Sequence, residues 1–247
     1  MITIKNQGQI EKMRVACGLV KQTFDILEGM IKPGITTKEL DDCVDKFLKS
    51  RGAKASFKNY RGFPKSCCVS INEEVIHGIP GARRLEAGDI VSIDVGAYFN
   101  GFHGDAARTF GVGEISAQKQ SLIDVTRDSF FEGMKFARAG MFLHQISAAI
   151  GDYVESHGFS VVRDFVGHGV GAALHEGPEI PNYRQKSRGV RLRAGMTLAI
   201  EPMVNLGVPD VFILDDDWTV VTEDEEPSAH YENTVLITDG EPEILTL

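Results

Sequence analysis

Two aspartates lie on either side of a tight turn in an otherwise apolar part of the sequence. Asn100-Gly101 separates two stretches rich in β-branched and aromatic residues, and Asn-Gly is the favoured two-residue turn of a β-hairpin. The register of such a hairpin puts Asp105 opposite Gly96, on the same face as Asp94, because side chains alternate with period two. The sequence therefore predicts two carboxylates as diagonal neighbours, ~7–8 Å apart at the backbone.

Carboxylates on an apolar sheet face need a partner. Their mutual repulsion and their burial would raise each other's pKa, and a cation removes that cost. Two inward carboxylates can share two metal ions ~3.5–4 Å apart. The alternative is a solvated sheet face, but the neighbouring residues Val91, Ile93 and Val95 are apolar. We therefore favour a metal site.

Further candidate ligands occur later in the chain. Glu201 and Glu232 each interrupt an apolar, strand-like run, and His168 lies among glycines that permit close backbone approach. His175 follows seven residues later. An isolated histidine is often only a structural residue, but here it accompanies four carboxylates in apolar surroundings. His77 occupies in the first part of the chain the place that His168 has in the second, so we expect it to contact the same site.

Two pairs of segments resemble each other within the chain. Residues 84–94 align without a gap on residues 191–201, and both copies end in a carboxylate. Upstream, residues 34–52 and 140–158 each enclose an amphipathic segment between two glycines, at nearly the same separation. Two matches in the same order indicate an internal duplication. We predict one catalytic domain over residues 1–247, with related halves at about 12–120 and 125–247.

The coarse pattern in each half is helices followed by strands, which is typical of an α+β fold with helices on a mainly antiparallel sheet. Apolar periodicity predicts helices over residues 10–30, 120–137 and 141–157, with Asn6 as an N-cap of the first. Runs rich in β-branched residues predict strands at 68–71, 89–98, 103–111, 160–165, 196–203 and 231–237.

Composition narrows the class of protein. The formal net charge is −9, from 26 Lys and Arg against 35 Asp and Glu. This argues against DNA binding, because phosphate contacts require a basic surface. We find no secretory signal and no apolar run of the ~18 residues that a membrane span needs. Four cysteines are too few for a disulfide framework in 247 residues. We expect a soluble, cytoplasmic protein with reduced thiols and no membrane partner.

The candidate ligands resemble, in order and in local context, the metal ligands of the type I methionine aminopeptidases. Residues 165–183 read Phe-x-Gly-His-Gly-Val-Gly, then His175, then Ile-Pro-Asn-Tyr, which is similar to that family's signature. Residues 92–96 and 104–109 fit as well, and the resemblance covers nearly the whole chain. The five matching residues are Asp94, Asp105, His168, Glu201 and Glu232.

The resemblance implies a fold and a mechanism. The fold would be the pita-bread fold of two pseudo-symmetric halves. Asp94 would bind one divalent ion, Asp105 and Glu232 would bridge two ions, and His168 and Glu201 would bind the second. A bridging water would attack the carbonyl after methionine, with Glu201 handling its proton. The oxygen-rich ligand set suits Mn(II), Fe(II) or Co(II) and also admits Zn(II).

The resemblance also implies a substrate site. His77 and His175 would contact the scissile peptide and stabilise the tetrahedral intermediate and the leaving amine. Phe57 and Leu174 stand where family members often carry a cysteine and an aromatic residue, and ordinary core packing is the alternative for both. The methionine pocket would be lined by Phe57, Tyr60, Phe63, Cys68, Leu174 and Trp218.

Two other functions compete with this one. X-Pro peptidases share the five ligands but carry an extra N-terminal domain, for which residues 1–9 leave no room. A binding module of the same fold would have lost ligands, and all five are present. The expected activity is removal of the initiator methionine from nascent polypeptides whose second residue is small. We expect a monomer, and any docking on the ribosome would fall to the catalytic domain.

Overall fold

The structure, a computed structural model, describes residues 2–247. Its four α-helices are α1 (Gln7–Glu28), α2 (Thr37–Ser50), α3 (Ala117–Met134) and α4 (Leu143–Ser156). The strands are β1 (Lys54–Ala55), β2 (Cys68–Ile71), β3 (Glu74–Ile76), β4 (Ile90–Phe99), β5 (Phe102–Gly111), β6 (Ser160–Val161), β7 (Gly167–Gly169), β8 (Glu176–Ile180), β9 (Thr197–Ile200), β10 (Met203–Asn205), β11 (Val211–Ile213), β12 (Val220–Thr222), β13 (Ser228–His230), β14 (Asn233–Leu236) and β15 (Glu243–Ile244).

The helices begin where side chains can satisfy their free N–H groups. Asn6 caps α1 by accepting a hydrogen bond from the Gln9 N–H, as expected, and the Gln9 side chain returns one to the Asn6 backbone. Thr36 and Glu39 make the same reciprocal pair at α2. Such caps contribute about 1 kcal/mol each.

The strands confirm an α+β fold, but they form four small sheets. Within residues 2–247 the named strands pair antiparallel, in the orders β1-β4-β2 with β5 on β4, β13-β10-β6, β11-β12-β3 and β15-β14-β9-β7-β8. The predicted strand 196–203 is interrupted: β9 ends at Ile200 and β10 begins at Met203 in another sheet. Pro202 lies between them and has no N–H to donate to a ladder.

Two other predicted strands are shorter than expected. Only residues 160–161 of the predicted strand 160–165 pair, and the run 231–237 pairs over 233–236. The β-branched residues beyond these limits are buried in loops. Apolar composition was therefore a good guide to burial there, but a poor guide to the length of the ladder.

Two hydrophobic cores lie between the helices and the sheets. The first joins α1 and α2 to β4, with Val20, Leu40, Val44, Val91 and Ile93 fully buried. The second joins α3 and α4 to β9 through a similar set, Phe130, Ile146, Ile150, Leu198 and Ile200. Burying each such side chain stabilises the fold by about 1.5–3 kcal/mol. These cores hold the inner strands of the two parts in fixed positions.

The segments that suggested a duplication make matching contacts. The Gly34 N–H donates to the Leu85 carbonyl at 2.7 Å, and the Gly140 N–H donates to the Leu192 carbonyl at 2.9 Å. Both glycines have a positive φ, +92° and +91°, which favours glycine. A duplication would leave such pairs, and it stays a prediction.

None of the helices within residues 2–247 is long and apolar enough to cross a bilayer. The four cysteines are free thiols, and three of them are buried.

Candidate metal centre and cleft

The hairpin formed by β4 and β5 has the predicted register. Asp105 pairs with Gly96, and the turn residues Asn100 and Gly101 have φ of +50° and +86°, as a type I′ turn requires. Asp94 therefore lies two residues from the partner of Asp105, on the same face of the sheet. The sequence pattern placed these two carboxylates correctly.

Contacts with residues 232–234 bring Glu232 to this hairpin. The Thr234 hydroxyl donates to the Asp105 carbonyl at 2.9 Å and accepts from the Asp105 N–H at 3.0 Å. The Glu232 N–H donates to the Ala107 carbonyl at 2.9 Å, and the Arg108 guanidinium donates to the Glu232 carbonyl. The backbone of Glu232 is thus held against β5.

His168 is fixed with one ring nitrogen free. It lies on β7, and its Nδ1 is 2.8 Å from the Gly169 carbonyl oxygen. A carbonyl only accepts, so Nδ1 carries the proton and Nε2 keeps its lone pair. Nε2 lies 3.6 Å from Glu201 Oε1 and 4.0 Å from Asp105 Oδ2. Glu201 directly follows β9, the strand that pairs with β7.

The four carboxylates lie in surroundings that oppose their charge. Burial raises the pKa of Asp94 to about 8. Burial, followed by the charge of neighbouring carboxylates, raises the pKa of Asp105, Glu201 and Glu232 well above the ordinary range. Four carboxyl groups that raise one another's pKa in a buried site need a positive charge to be ionised together.

The donor atoms fit a divalent cation. The side chains of Asp105, His168 and Glu232 can offer ligand atoms that all lie within 4.8 Å of one another. The Oδ1 atoms of Asp94 and Asp105 are buried without a hydrogen-bond partner. Orphaned buried oxygens are rare in folded proteins, and a metal ion would satisfy them. Oxygen donors with one imidazole are typical of Mn, Fe or Co sites.

These five side chains line one cleft. Together they are called the metal centre below: Asp94, Asp105, His168, Glu201 and Glu232. The residues predicted to bind substrate also line the cleft: Tyr60, Phe63, Cys68, His77, His175 and Trp218. Phe57 and Leu174 lie there too, packed with Phe63 and Cys68, so both contribute to the cleft as well as to the local packing.

Five of the cleft residues form an aromatic wall, named by its members Tyr60, Phe63, His77, His175 and Trp218. The His175 ring stacks on Tyr60 at 5.2 Å between centroids, and its Nδ1 is 2.8 Å from the Tyr60 hydroxyl. Trp218 packs edge-on against both Phe63 and His77. These contacts keep the two imidazoles directed at the cleft.

Both imidazoles of the wall have a pKa below the ordinary histidine value. Burial lowers the pKa of His77 to about 4, and the nearby His175 lowers it further in the same direction. Burial, then the Arg61 guanidinium, lowers the pKa of His175. The backbone of His77 has φ +60°, an uncommon conformation for a residue other than glycine, of the kind concentrated at functional sites.

One carboxylate of the loop 214–219, next to the wall, has a structural role. The carboxylate of Asp216 accepts hydrogen bonds from the N–H groups of Trp218 and Thr219, at 2.9 and 2.8 Å. It therefore fixes the turn that carries Trp218 into the cleft.

Sequence reasoning missed several residues of the site. Arg61, Ile76 and Val166 line the cleft but carried no pattern that distinguished them from core or surface. Phe165 lines it too, and in the sequence it stood out only as part of the signature. His230 also escaped notice, although it lies 3.8 Å from Glu201. Its spacing of two from Glu232 was a signal, since alternate residues of an extended chain share a face.

Comparisons with known proteins give one consistent result. Residues 11–239 match metallopeptidase family M24. The chain is 55% identical to a methionine aminopeptidase of Clostridium perfringens, over 100% of this chain and 99% of that protein. It is 52% identical to methionine aminopeptidase 1 of Bacillus subtilis, with 100% and 99% covered. The crystal structure of methionine aminopeptidase from Rickettsia prowazekii superimposes with a TM-score of 0.98 at 42% identity, covering 100% of both chains.

Proposed function

We propose a two-metal mechanism for this chain on the premise that it belongs to metallopeptidase family M24 and, within that family, to the methionine aminopeptidases. Its activity is metal-dependent removal of the N-terminal methionine from polypeptides. The observation that carries the mechanism is the shared cleft. The five side chains of the proposed metal centre line it together with aromatic and sulfur-containing side chains.

The metal centre is proposed to hold two divalent ions. Asp94 would hold one ion, His168 and Glu201 the other, and Asp105 and Glu232 would contact both. The close grouping of Asp105, Glu232 and His168 supports a central position for the first two. When bound, the ions supply Lewis acidity, which lowers the pKa of water and polarises the substrate carbonyl.

The protein side chains would move the protons of the reaction. Glu201 accepts the proton of the attacking water as the new C–O bond forms, and the proton then passes to the leaving amine as the C–N bond breaks. His77, neutral at pH 7, donates a hydrogen bond to the carbonyl oxygen as negative charge develops there. His175 contacts the scissile amide, held in orientation by the Tyr60 hydroxyl.

The apolar part of the cleft accounts for the choice of methionine. Phe63, Cys68 and Leu174 are buried at its base, and Trp218 closes one side. An unbranched thioether fits such a surface through apolar burial and contact of sulfur with aromatic edges. Phe57 adds to the same surface.

The chain is further proposed to act as a monomer on nascent chains in the cytoplasm, near the ribosome. The metal centre and the aromatic wall are complete within one copy of the chain, so a second copy is not needed to build the site. The four free thiols suit a reducing compartment, and initiator methionine first becomes available at the ribosome. Sedimentation of the purified protein alone and with ribosomes tests both statements: a single 27.1 kDa species that co-sediments with ribosomes is expected.

The activity is tested with peptides and metal-stripped protein. Mn(II), Fe(II), Co(II) or Zn(II) is added back, and free methionine is measured from Met-Ala-Ser, Met-Lys-Ser and Pro-Ala-Ser. Release from Met-Ala-Ser only is expected, because a bulky second side chain would meet the cleft wall. Equal cleavage of Met-Lys-Ser would contradict that size limit.

Two variants locate the activity in the metal centre. Glu232→Ala should abolish release. Glu179→Ala is the matched control, because Glu179 is exposed and pairs with His168 from the neighbouring strand, so this variant should stay active. No release from any peptide with any metal would overturn the proposal and favour a binding module.

A further inference from the structure

His230 is a buried histidine that no step above uses. It ends β13, with 2% of its surface exposed, and it lies behind the residues that line the cleft. Within residues 2–247 its Nε2 atom has no hydrogen-bond partner. A buried ring nitrogen without a partner is uncommon and calls for a physical reason.

A carboxylate of the metal centre lies within 4 Å of that nitrogen. Nε2 lies 3.8 Å from Oε2 of Glu201, while the other oxygen, Oε1, lies 3.6 Å from Nε2 of His168. The two oxygens of Glu201 therefore face two different imidazoles. One of these imidazoles is a proposed metal ligand, and the other is not.

The backbones of both residues are fixed, but the Glu201 side chain is not. The Thr109 hydroxyl accepts from the His230 N–H at 2.8 Å and donates to the His230 carbonyl at 2.9 Å. The Asn182 side chain donates to the Glu201 carbonyl at 3.0 Å. What remains free is the rotation of the Glu201 carboxylate, which decides where its oxygens point.

We propose that His230 is a positioning residue for Glu201, which donates a hydrogen bond from Nε2–H to Oε2 and so directs Oε1 toward the metal centre. An ionised carboxylate only accepts hydrogen bonds, so Nε2 must carry the proton. A small rotation of the carboxylate brings 3.8 Å within the ~3.2 Å limit of such a bond. Partners that orient a metal-binding side chain are a general feature of metal sites.

The inference rests on the proposed role of Glu201 as a metal ligand. It predicts that the site loses metal affinity when the donor is removed, although His230 itself binds no metal. It also predicts that the reach of the donor matters. The amide nitrogen of glutamine can occupy the place of Nε2, whereas that of asparagine is one bond shorter.

The test compares His230→Gln, His230→Asn and His230→Leu with the unchanged protein. Calorimetric titration of the metal-stripped proteins with Mn(II) gives the dissociation constants. Release of methionine from Met-Ala-Ser at saturating Mn(II) gives kcat and KM. Ser228→Ala is the matched control, because Ser228 lies on the same strand and bonds to Asn205 at 2.8 Å, away from Glu201.

The expected result separates the variants by donor reach. His230→Gln should bind Mn(II) within about threefold of the unchanged protein, and His230→Asn and His230→Leu should bind at least about tenfold more weakly. At saturating Mn(II), the last two should lower kcat and leave KM nearly unchanged. Ser228→Ala should lower only the melting temperature.

Two results would overturn the inference. One is equal Mn(II) affinity and kcat in all three His230 variants and the unchanged protein. The other is an equal loss in His230→Gln and His230→Asn, which would assign the effect to the imidazole ring itself, including direct metal binding. A failure of the proposed function looks different, because the unchanged protein would then neither bind Mn(II) nor release methionine.

Discussion

The metal centre and the aromatic wall face each other across one cleft but are built on different kinds of backbone. Asp94, Asp105 and His168 lie on paired strands, where ladder hydrogen bonds fix the direction of each side chain. Glu201 directly follows β9 and Glu232 directly precedes β14. Tyr60 begins a short 3-10 helix, Tyr60–Gly62, and His175 and Trp218 lie in loops fixed by side-chain contacts. Strand-borne groups can be held together despite their mutual repulsion, whereas loop-borne groups depend on local supports. The metal centre therefore brings several charged groups together, whereas the wall gives the cleft its apolar shape.

Removing one charge from the metal centre should have the largest effect on activity. Asp105→Asn keeps the size of the side chain but removes a charge proposed to contact both ions. Loss of metal assistance is worth several kcal/mol, so kcat/KM for Met-Ala-Ser should fall by about 1000-fold or more. The same variant should raise the melting temperature of the metal-free protein at pH 8, because one source of repulsion is gone. A fully active Asp105→Asn enzyme would contradict the proposed role of this carboxylate in holding the ions.

The metal-free protein should become less stable as pH rises. Burial raises the pKa of Asp94 to about 8, from ~3.9 in an unfolded chain. The folded state therefore binds more protons than the unfolded state between these values. The resulting stability is fully present below pH ~4 and is lost as pH rises through ~8, by on the order of a few kcal/mol.

Thermal unfolding of metal-stripped protein from pH 5 to 8.5 measures this slope. Saturating Mn(II) should remove it, because the ions then compensate the ionised carboxylates. A metal-free melting temperature that rises over this range would show that the carboxylates are not held in repulsion.

The position of His175 in the wall should depend on an ion pair made by Lys5, near the N-terminus. Lys5 Nζ lies 2.7 Å from Glu176 Oε2, and both side chains are less than 10% exposed, at 4% and 9%. Glu176 follows His175 directly and accepts from the Ala173 N–H at 3.3 Å. Lys5→Met would leave Glu176 buried without its partner, which costs about 3–5 kcal/mol.

Urea unfolding compares Lys5→Met with Lys21→Met. Lys21 pairs with Asp25 at 3.1 Å on the surface of α1, so its replacement should have little effect. Lys5→Met should also lower kcat, through the altered loop that carries His175. Equal stability of the two variants would show that the loop does not rely on this pair.

Shape changes in the wall should have the smallest effect. Trp218→Ala removes the side chain that packs against Phe63 and His77. The loss of apolar contact with the substrate is worth about 1–3 kcal/mol, so KM for Met-Ala-Ser should rise about 5- to 150-fold. Steady-state kinetics, with Trp218→Phe as the conservative control, would show it. A fall in kcat alone would contradict a role for Trp218 in shaping the pocket.

The difference between the two regions also explains what sequence reasoning could predict. Asp94 and Asp105 were placed on one face because an Asn-Gly turn and period-two alternation determine a hairpin register, and the structure has that register. Glu201 was expected inside a strand at 196–203 by its likeness to Asp94, but it directly follows β9, which ends at Ile200. The direction of side chains along a strand follows from local rules, so it can be predicted from the sequence.

The wall could not be derived in the same way. Tyr60, Phe63 and Trp218 became candidates only through resemblance to a family, because no local rule fixes the path of the loops that carry them. The break at Pro202 and the separation into four sheets were missed for a related reason. Where the chain leaves the ladder, tertiary contacts such as those of Arg108 with Glu232 decide its course.

The central claim is that the five side chains of the metal centre hold two ions together. A crystal of the protein grown with Mn(II) and measured at the manganese absorption edge tests it most directly. The account predicts two anomalous peaks ~3.5–4 Å apart, with the side chains of Asp105 and Glu232 contacting both. A single peak, or peaks away from Asp94, His168 and Glu201, would contradict the account.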